Sequence, residues 1–340
     1  MKPTDFATYL SRYLGVYLPG QSGASINTIM SYRDTFSLFL RYCDDVQGLS
    51  PSKLTLQQID HHLIEQFLLW LEDERNSSAG TRNNRLAAIH AFYRYLQYEL
   101  PQFLSRCQEI LAIPYKKIQK KVMSYVTLDG VKILLAQPDT STAYGRRDLA
   151  MLSLLYDTGA RVQELVDLRM EDVRLSGPTI IRLTGKGNKS RLVPIMKPTE
   201  NLLRQYLDEH DKNYVIHGGY PLFCNRMGKK LTRAGVTYIL DKYLSQAKNV
   251  GEPSLPDSIS PHCLRHSKAM HLLQSGVNLV YIRDLLGHAD VSTTEVYARA
   301  DEHLKRKALE QAYPSPTPVS ETTAWQKDND LLDWLKNLGK

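Results

Sequence analysis

The chain has 340 residues and a mass of 38.8 kDa, more than the roughly 100 to 200 residues of one ordinary domain, so two domains are expected. Hydrophobic residues at 42% against 23% charged supply a buried core and exclude a disordered chain; with no apolar run of about 18 residues and no apolar stretch behind the polar start, a cytoplasmic protein without a membrane span is expected. Lys plus Arg outnumber Asp plus Glu by 43 to 36, and residues 1–121 (14 basic, 11 acidic) and 122–313 (26 basic, 21 acidic) share the excess, which favours a polyanionic partner for both segments.

The first segment reads as helices. A short one is predicted over 6–17. Over 25–46, Ile29, Tyr32, Phe36, Phe39 and Leu40 recur at three- and four-residue steps, the period of one helix face, and Ile59, Leu63, Phe67 and Leu71 do the same over 56–74. A fourth helix starts near Thr81, carries Arg82 and Arg85 in its first turns, and stops at Pro101. These make a first domain, residues 1–103. Residues 104–122, with Pro114, Lys116, Lys117, Lys120 and Lys121, read as a basic interdomain linker: a solvated charge run or, in a DNA-binding protein, a stretch laid along phosphates.

The second domain, residues 123–313, is mixed. Helical patterns over 128–137, 147–156 and 162–168 lead to two β-rich runs, 179–184 and 190–195, that flank a Gly-Lys-Gly-Asn-Lys turn and read as a hairpin, after which helices resume to Ala312. The fold class is mainly α with a small antiparallel β-sheet (α+β). In residues 314–340, Pro314, Pro316 and Pro318 mark a tether ahead of an apolar stripe, Leu331, Leu332, Trp334, Leu335 and Leu338, too short to be stable alone and in need of a surface in cis or on a neighbour.

Cys43, Cys107, Cys224 and Cys263 form no Cys-x-x-Cys pair, and no carboxylates cluster at ligand spacing, so neither a metal nor a disulfide framework is predicted. Cationic and aromatic residues at element edges stand out instead. Arg161 follows Thr158-Gly159-Ala160 at a helix start, a place that favours an anion, although a salt bridge to Glu164 also accounts for it. Lys186 sits at a glycine-flanked hairpin tip, where a lysine serves solubility or swings to a ligand. His262 and Arg265 share one face of a helix opened by Ser260-Pro261; such a pair grips a phosphate, or is a cap histidine beside a surface arginine. Gly287 ends an apolar helical face and leaves His288 at a fixed turn, while Tyr297 lies on the next helix and by itself reads as packing.

Taken in order and spacing, Arg161, Lys186, His262-x-x-Arg265, Leu286-Gly287-His288 and Tyr297 resemble the tyrosine recombinases of the phage-integrase family. The strings Tyr156-Asp-Thr-Gly-Ala-Arg161, Gly185-Lys-Gly-Asn-Lys-Ser-Arg191, His262-Cys-Leu-Arg-His266 and Leu285-Leu-Gly-His288 strengthen the likeness, and the first four helices look, less specifically, like the family's core-binding, SAM-like bundle. The resemblance implies two domains closed as a C-shaped clamp around double-stranded DNA at specific recombination sites, with no metal or other cofactor. Tyr297 would be the nucleophile, His262 the general base and Lys186 the general acid, with Arg161, Arg265 and His288 on the phosphate and Glu164 behind them. DNA contacts are expected at Arg82, Arg85, Lys116, Lys117, Lys120, Lys121 and Arg233. Four protomers would exchange strands through a Holliday junction, the C-terminal helix docking in trans or packing in cis, with a second recombinase or accessory protein left open. Integration, excision or transposition of a mobile element is the leading role, an Xer-type chromosome or plasmid dimer resolvase the alternative; a type IB topoisomerase and a catalytically silent DNA-binding protein are further alternatives.

Overall fold

The computed structural model describes residues 2–118, 125–209, 219–249, 255–288, 290, 292–300, 335 and 338. The chain divides into two compact units between Lys121 and Val122. Among the described residues no helix is long and apolar enough to cross a membrane.

The first unit is a helical bundle: α1 (Asp5–Arg12), α2 (Ile26–Asp45), α3 (His61–Asp73), α4 (Ala79–Glu99) and α5 (Leu104–Leu111). The first four start where a short polar side chain, Thr4, Ser25, Asp60 or Ser78, accepts a bond from a first-turn amide that has no helical partner. Their apolar faces meet in an aromatic-rich core in which Phe92 lies edge-on to Phe6 and Phe36, with ring centres 6.0 and 5.2 Å away. The opening helix passes into a π-wound stretch, Tyr13–Gln21, and the third helix begins later than the apolar period alone implies because Asp60 caps it.

The linker expected over 104–122 is corrected in its first half. Residues Leu104–Leu111 form α5, whose Cys107 and Ile110 are fully buried in the bundle core. The stretch after it is tied down as well. Arg82, only 7% exposed, donates from Nη1 to the Pro114 carbonyl at 3.0 Å. Asn83 brackets Lys116, donating to its carbonyl at 2.8 Å and accepting from its amide at 3.0 Å. Lys120 and Lys121 lie outside the described residues.

In the second unit, α6 (Leu128–Leu135), α7 (Ala143–Thr158) and α8 (Val162–Asp167) precede a three-stranded antiparallel sheet, β1 (Val173–Arg174), β2 (Ile180–Thr184) and β3 (Ser190–Pro194), in the order β1-β2-β3. The predicted hairpin pairs Thr184 with Ser190 and Ile180 with Pro194. Strand β1, two residues long, is too short for alternation to reveal it. Then come α9 (Lys197–Asp208), α10 (Arg233–Asn249), α11 (Pro261–Gln274), α12 (Leu279–Leu286) and α13 (Ser292–Ala300). The middle of α7 is buried on nearly every side, and the main core forms around it from Leu165, Ile181, Leu183, Val193 and Leu264. A smaller apolar cluster of Ala269, Met270, Ile282, Leu286 and Tyr297 joins α11, α12 and α13. Of the C-terminal tail, only Leu335 and Leu338 are described.

Candidate active site

Two helix ends build the floor of the site. Helix α7 stops at Gly159 (φ 57°) and α12 at Gly287 (φ 64°), both left-handed, a conformation glycine adopts without strain. The two turns also approach closely: a Cβ on Gly159 would stand 2.6 Å from Leu286 Cδ2.

Arg265 joins these turns. Set in the first turns of α11, which Ser260 caps and Pro261 opens, it is 2% exposed and donates from Nη1 to the Gly159 carbonyl and from Nη2 to the Leu286 carbonyl, each at 2.6 Å. The guanidinium is thereby fixed in the pocket with its remaining N–H groups unused by those carbonyls. Burial, then the neighbouring Arg161 charge, draws its pKa down to about 10, so it stays cationic at neutral pH.

Arg161 caps the N-terminus of α8, where its backbone N–H donates to Glu164 Oε2 at 2.9 Å and its Nη1 to Glu164 Oε1 at 2.8 Å. Its side chain is 36% exposed and its Nη2 reaches the Gly287 carbonyl at 3.4 Å. The salt bridge and the anion site, alternatives on sequence, thus share one residue. Glu164 is 3% exposed and also receives both terminal nitrogens of Arg191, at 3.0 and 2.8 Å. Burial pushes its carboxyl up, but the bonds from Arg191 and Arg161 outweigh that and hold its pKa at about 2.

The hairpin presses on this junction. A Cβ at Gly185 would stand 2.8 Å from Glu164 Oε1, so glycine lets the base of the turn sit against the ion pair. Lys186 starts the tight turn Lys186–Asn188; its side chain lies outside the described atoms.

His288, just past the α12 stop, is set by a 2.9 Å bond between its Nδ1 and Thr294 Oγ1. Burial and then the charges of Arg265 and Arg161 lower its pKa to about 4, so the ring is neutral at pH 7. Tyr297, 2% exposed, is packed in the smaller cluster with its ring stacked 6.4 Å from His288. Its hydroxyl lies 2.9 Å from His266 Nδ1. Burial raises the phenol's pKa, and Arg265 and Arg161 pull the other way. His262, one turn before His266 on α11, is exposed, its ring centre 6.2 Å from that of His266.

Arg161, Glu164, Arg265, His288 and Tyr297 are therefore brought into one pocket, with His262 at its exposed side. Two residues present in the quoted strings but given no role complete it: Arg191 and His266. Their partners, Leu285 and Tyr297, lie 94 and 31 positions away, beyond any local pattern. Of the expected DNA contacts, Arg82 is buried and donates to the Pro114 carbonyl. Arg85 is half-buried and bonds Thr35 Oγ1 at 3.0 Å, and Lys116 pairs with Glu72 at 2.6 Å. Lys117 and Arg233 are exposed.

The model of the phage integrase family matches residues 124–303, and that of its N-terminal SAM-like domain matches residues 10–99. The chain belongs to the tyrosine recombinases of the phage integrase family. It is thus a site-specific recombinase, an enzyme that breaks and rejoins DNA, and the topoisomerase and silent-binder alternatives are set aside. The chain is 36% identical over 99% of its length and 99% of the partner's to "Putative integrase/recombinase y4rC" of Sinorhizobium fredii. It is 34% identical to tyrosine recombinase XerD of Listeria monocytogenes, over 88% of this chain and 96% of that one. Among solved structures, XerH bound to a palindromic difH substrate superposes with a TM-score of 0.64 at 23% identity, over 89% of this chain and 85% of that one. The Tn1549 transposon integrase with circular-intermediate DNA gives 0.68 at 17%, over 91% and 100%. At those identities the two structures attest the recombinase fold.

Proposed function

We propose that this recombinase cuts and rejoins DNA through Tyr297, in the integration, excision or transposition of a mobile element. The Tyr297 oxygen attacks the scissile phosphorus, a 3′-phosphotyrosyl bond forms, and the bond to the 5′-oxygen breaks. His262, the base that the family resemblance implies, takes up the phenolic proton, with His266, 2.9 Å from the Tyr297 hydroxyl, as the nearer group through which that proton leaves. Lys186 supplies a proton to the departing oxygen, so a 5′-hydroxyl is released and the bond energy is retained in the adduct. Arg161, Arg265 and His288 hold the nonbridging oxygens as negative charge gathers on them, and Glu164 orients Arg161. The reverse attack by a partner strand's 5′-hydroxyl joins it to the new end. Both units hold duplex DNA, with Lys117 and Arg233 on phosphates or grooves. Four protomers on two sites resolve a Holliday junction, the tail after Pro318 docking on a neighbour.

The observation that carries the chemistry is the convergence of Arg161, Arg265, His288 and Tyr297, from four separate elements, on one pocket floored by two glycine-ended helices. Nicked suicide duplexes tiled across the DNA flanking the gene, incubated in EDTA, test it: wild type forms a covalent adduct stable to denaturation and Tyr297→Phe forms none. An adduct with the Phe variant, or none with wild type on a duplex it binds, overturns the assignment. The full-length likeness to an integrase/recombinase supports the mobile-element role, and the likeness to XerD supports dimer resolution as a second reading. Plasmid dimers carrying the reactive site, compared with a plasmid in which two copies bracket a marker, separate the two.

A further inference from the structure

We infer that Arg191 is a positioning residue for Arg161: it neutralises Glu164 and so leaves the Arg161 guanidinium its charge for the scissile phosphate. The inference rests on the phosphate-holding role proposed above for Arg161. Glu164 accepts four bonds, two from Arg161 through N and Nη1 and two from Arg191 through Nη1 and Nη2, all between 2.8 and 3.0 Å. With Arg161 alone, this buried carboxylate would make a closed pair of zero net charge, its single negative charge opposing any anion brought to the same guanidinium. With Arg191 added, the group carries a net positive charge in a poorly hydrated place, where charge acts over a longer range than in water.

The two arginines are not equivalent. Arg191 is 13% exposed at its side chain and donates from Nε to the Leu285 carbonyl at 2.8 Å, so all three of its nitrogens serve protein acceptors. Arg161 is 36% exposed, and among the described residues its fork meets, beyond Glu164, the Gly287 carbonyl at a long 3.4 Å. One guanidinium faces inward and balances the carboxylate; the other stands at the opening. Arg191 also fixes where this happens. A Cβ on Gly287 would stand 2.9 Å from Arg191 Nη1, so the Arg191 side chain lies hard against the turn that carries His288.

A four-variant cycle tests this by single-turnover adduct formation on the nicked duplexes that wild type cleaves: Arg191→Met, Arg191→Lys, Glu164→Gln and the double variant Arg191→Met/Glu164→Gln, with Arg161→Ala as control. Arg191→Met slows adduct formation about ten- to hundredfold, because the uncompensated carboxylate claims Arg161. Arg191→Lys recovers part of the loss, restoring the charge but not the fork. The double variant is faster than Arg191→Met and within about threefold of Glu164→Gln, since Arg191 then has no carboxylate to neutralise; a residue that only packs the hairpin gives no such rescue. Arg191→Met within about twofold of wild type, or a double variant no faster than the single one, overturns the inference. Should Arg191→Met fail to fold by circular dichroism, the double variant against Glu164→Gln alone decides: equal rates support the inference and a further tenfold loss, roughly, overturns it. If Arg161→Ala reacts at the wild-type rate, the phosphate role of Arg161 fails; if only the Arg191 variants are unaffected, that role stands and this inference fails. A wild-type chain that forms no adduct on any duplex overturns both.

Discussion

Each unit buries an arginine that donates to backbone carbonyls, and the two do different work. Arg82 in the first unit reaches the Pro114 carbonyl and holds an irregular stretch against α4. Arg265 in the second reaches the Gly159 and Leu286 carbonyls and holds two turns against each other. The difference lies in what the tied segments carry. Around Arg82 stands Asn83, which accepts a bond from Arg82 and itself brackets the backbone of Lys116. Around Arg265 stand Arg161, His288 and Tyr297, near enough for the two arginine charges to act on both the imidazole and the phenol. A buried guanidinium is thus a way of fixing loops in both units, and it becomes a functional group only where the fixed loops present further charge.

The strongest way to break that comparison is Arg265→Ala. It strips two buried carbonyls of their donor and removes a phosphate ligand, so the adduct rate falls by about a thousandfold or more, with roughly 2–4 kcal/mol lost in urea unfolding. An Arg265→Ala rate near that of Arg82→Ala would erase the distinction. Arg82→Ala itself costs about 1–3 kcal/mol of stability, yet the adduct rate at saturating DNA stays within about twofold and the salt slope of DNA binding does not change. A slope reduced by about one would return Arg82 to the DNA surface.

Acid sharpens the contrast on the catalytic side. His288 has its pKa lowered from 6.5 to about 4, so the unfolded chain binds a proton there that the folded one refuses; stability is complete above 6.5 and falls as pH drops toward 4. Glu164, lowered from 4.5 to about 2, contributes stability above 4.5 that is lost as pH falls on toward 2. Unfolding free energy measured against pH therefore declines first through the histidine range, where His90, His262, His266 and His271 are also lowered by burial, and then through the carboxylate range, where Glu200 is lowered as well. His288→Asn, which keeps a hydrogen-bonding group for Thr294, flattens the first decline by an amount on the order of 1 kcal/mol, the ring being only half-buried; Glu164→Gln makes the second shallower without abolishing it. The smallest effect belongs to exposed Lys117: its replacement by Ala leaves stability unchanged and reduces the salt slope of DNA binding by about one.

Much of this was legible in the sequence because its signals are local. Ser25, Asp60, Ser78 and Ser260 cap helices within three residues of themselves, the Gly-Lys-Gly-Asn-Lys turn dictates its hairpin, and Gly159 and Gly287 mark helix ends. Helix α5 escaped because its apolar positions, Leu104, Cys107, Ile110 and Leu111, occupy barely two turns between Pro101 and Pro114, and prolines suggest a linker. The Arg82 bond to Pro114 was hidden for a related reason: an arginine in a first helical turn looks the same whether it faces a phosphate or a carbonyl folded back from further along the chain.

By itself the sequence determined the helices apart from α5, the hairpin, the order of the chemical residues and, through their spacing, the family. The tertiary structure alone decided which cations are inward and which outward. Arg191 and Arg161 are both arginines beside the same carboxylate, and only the meeting of β3 with Leu285, across 94 positions, turns one into a counter-charge while the other stays at the opening. His266 rather than His262 meets the Tyr297 hydroxyl because α13 packs back on α11. Local propensity acts over a few residues, whereas the charge state and direction of a buried side chain depend on groups that only folding brings within a few ångströms.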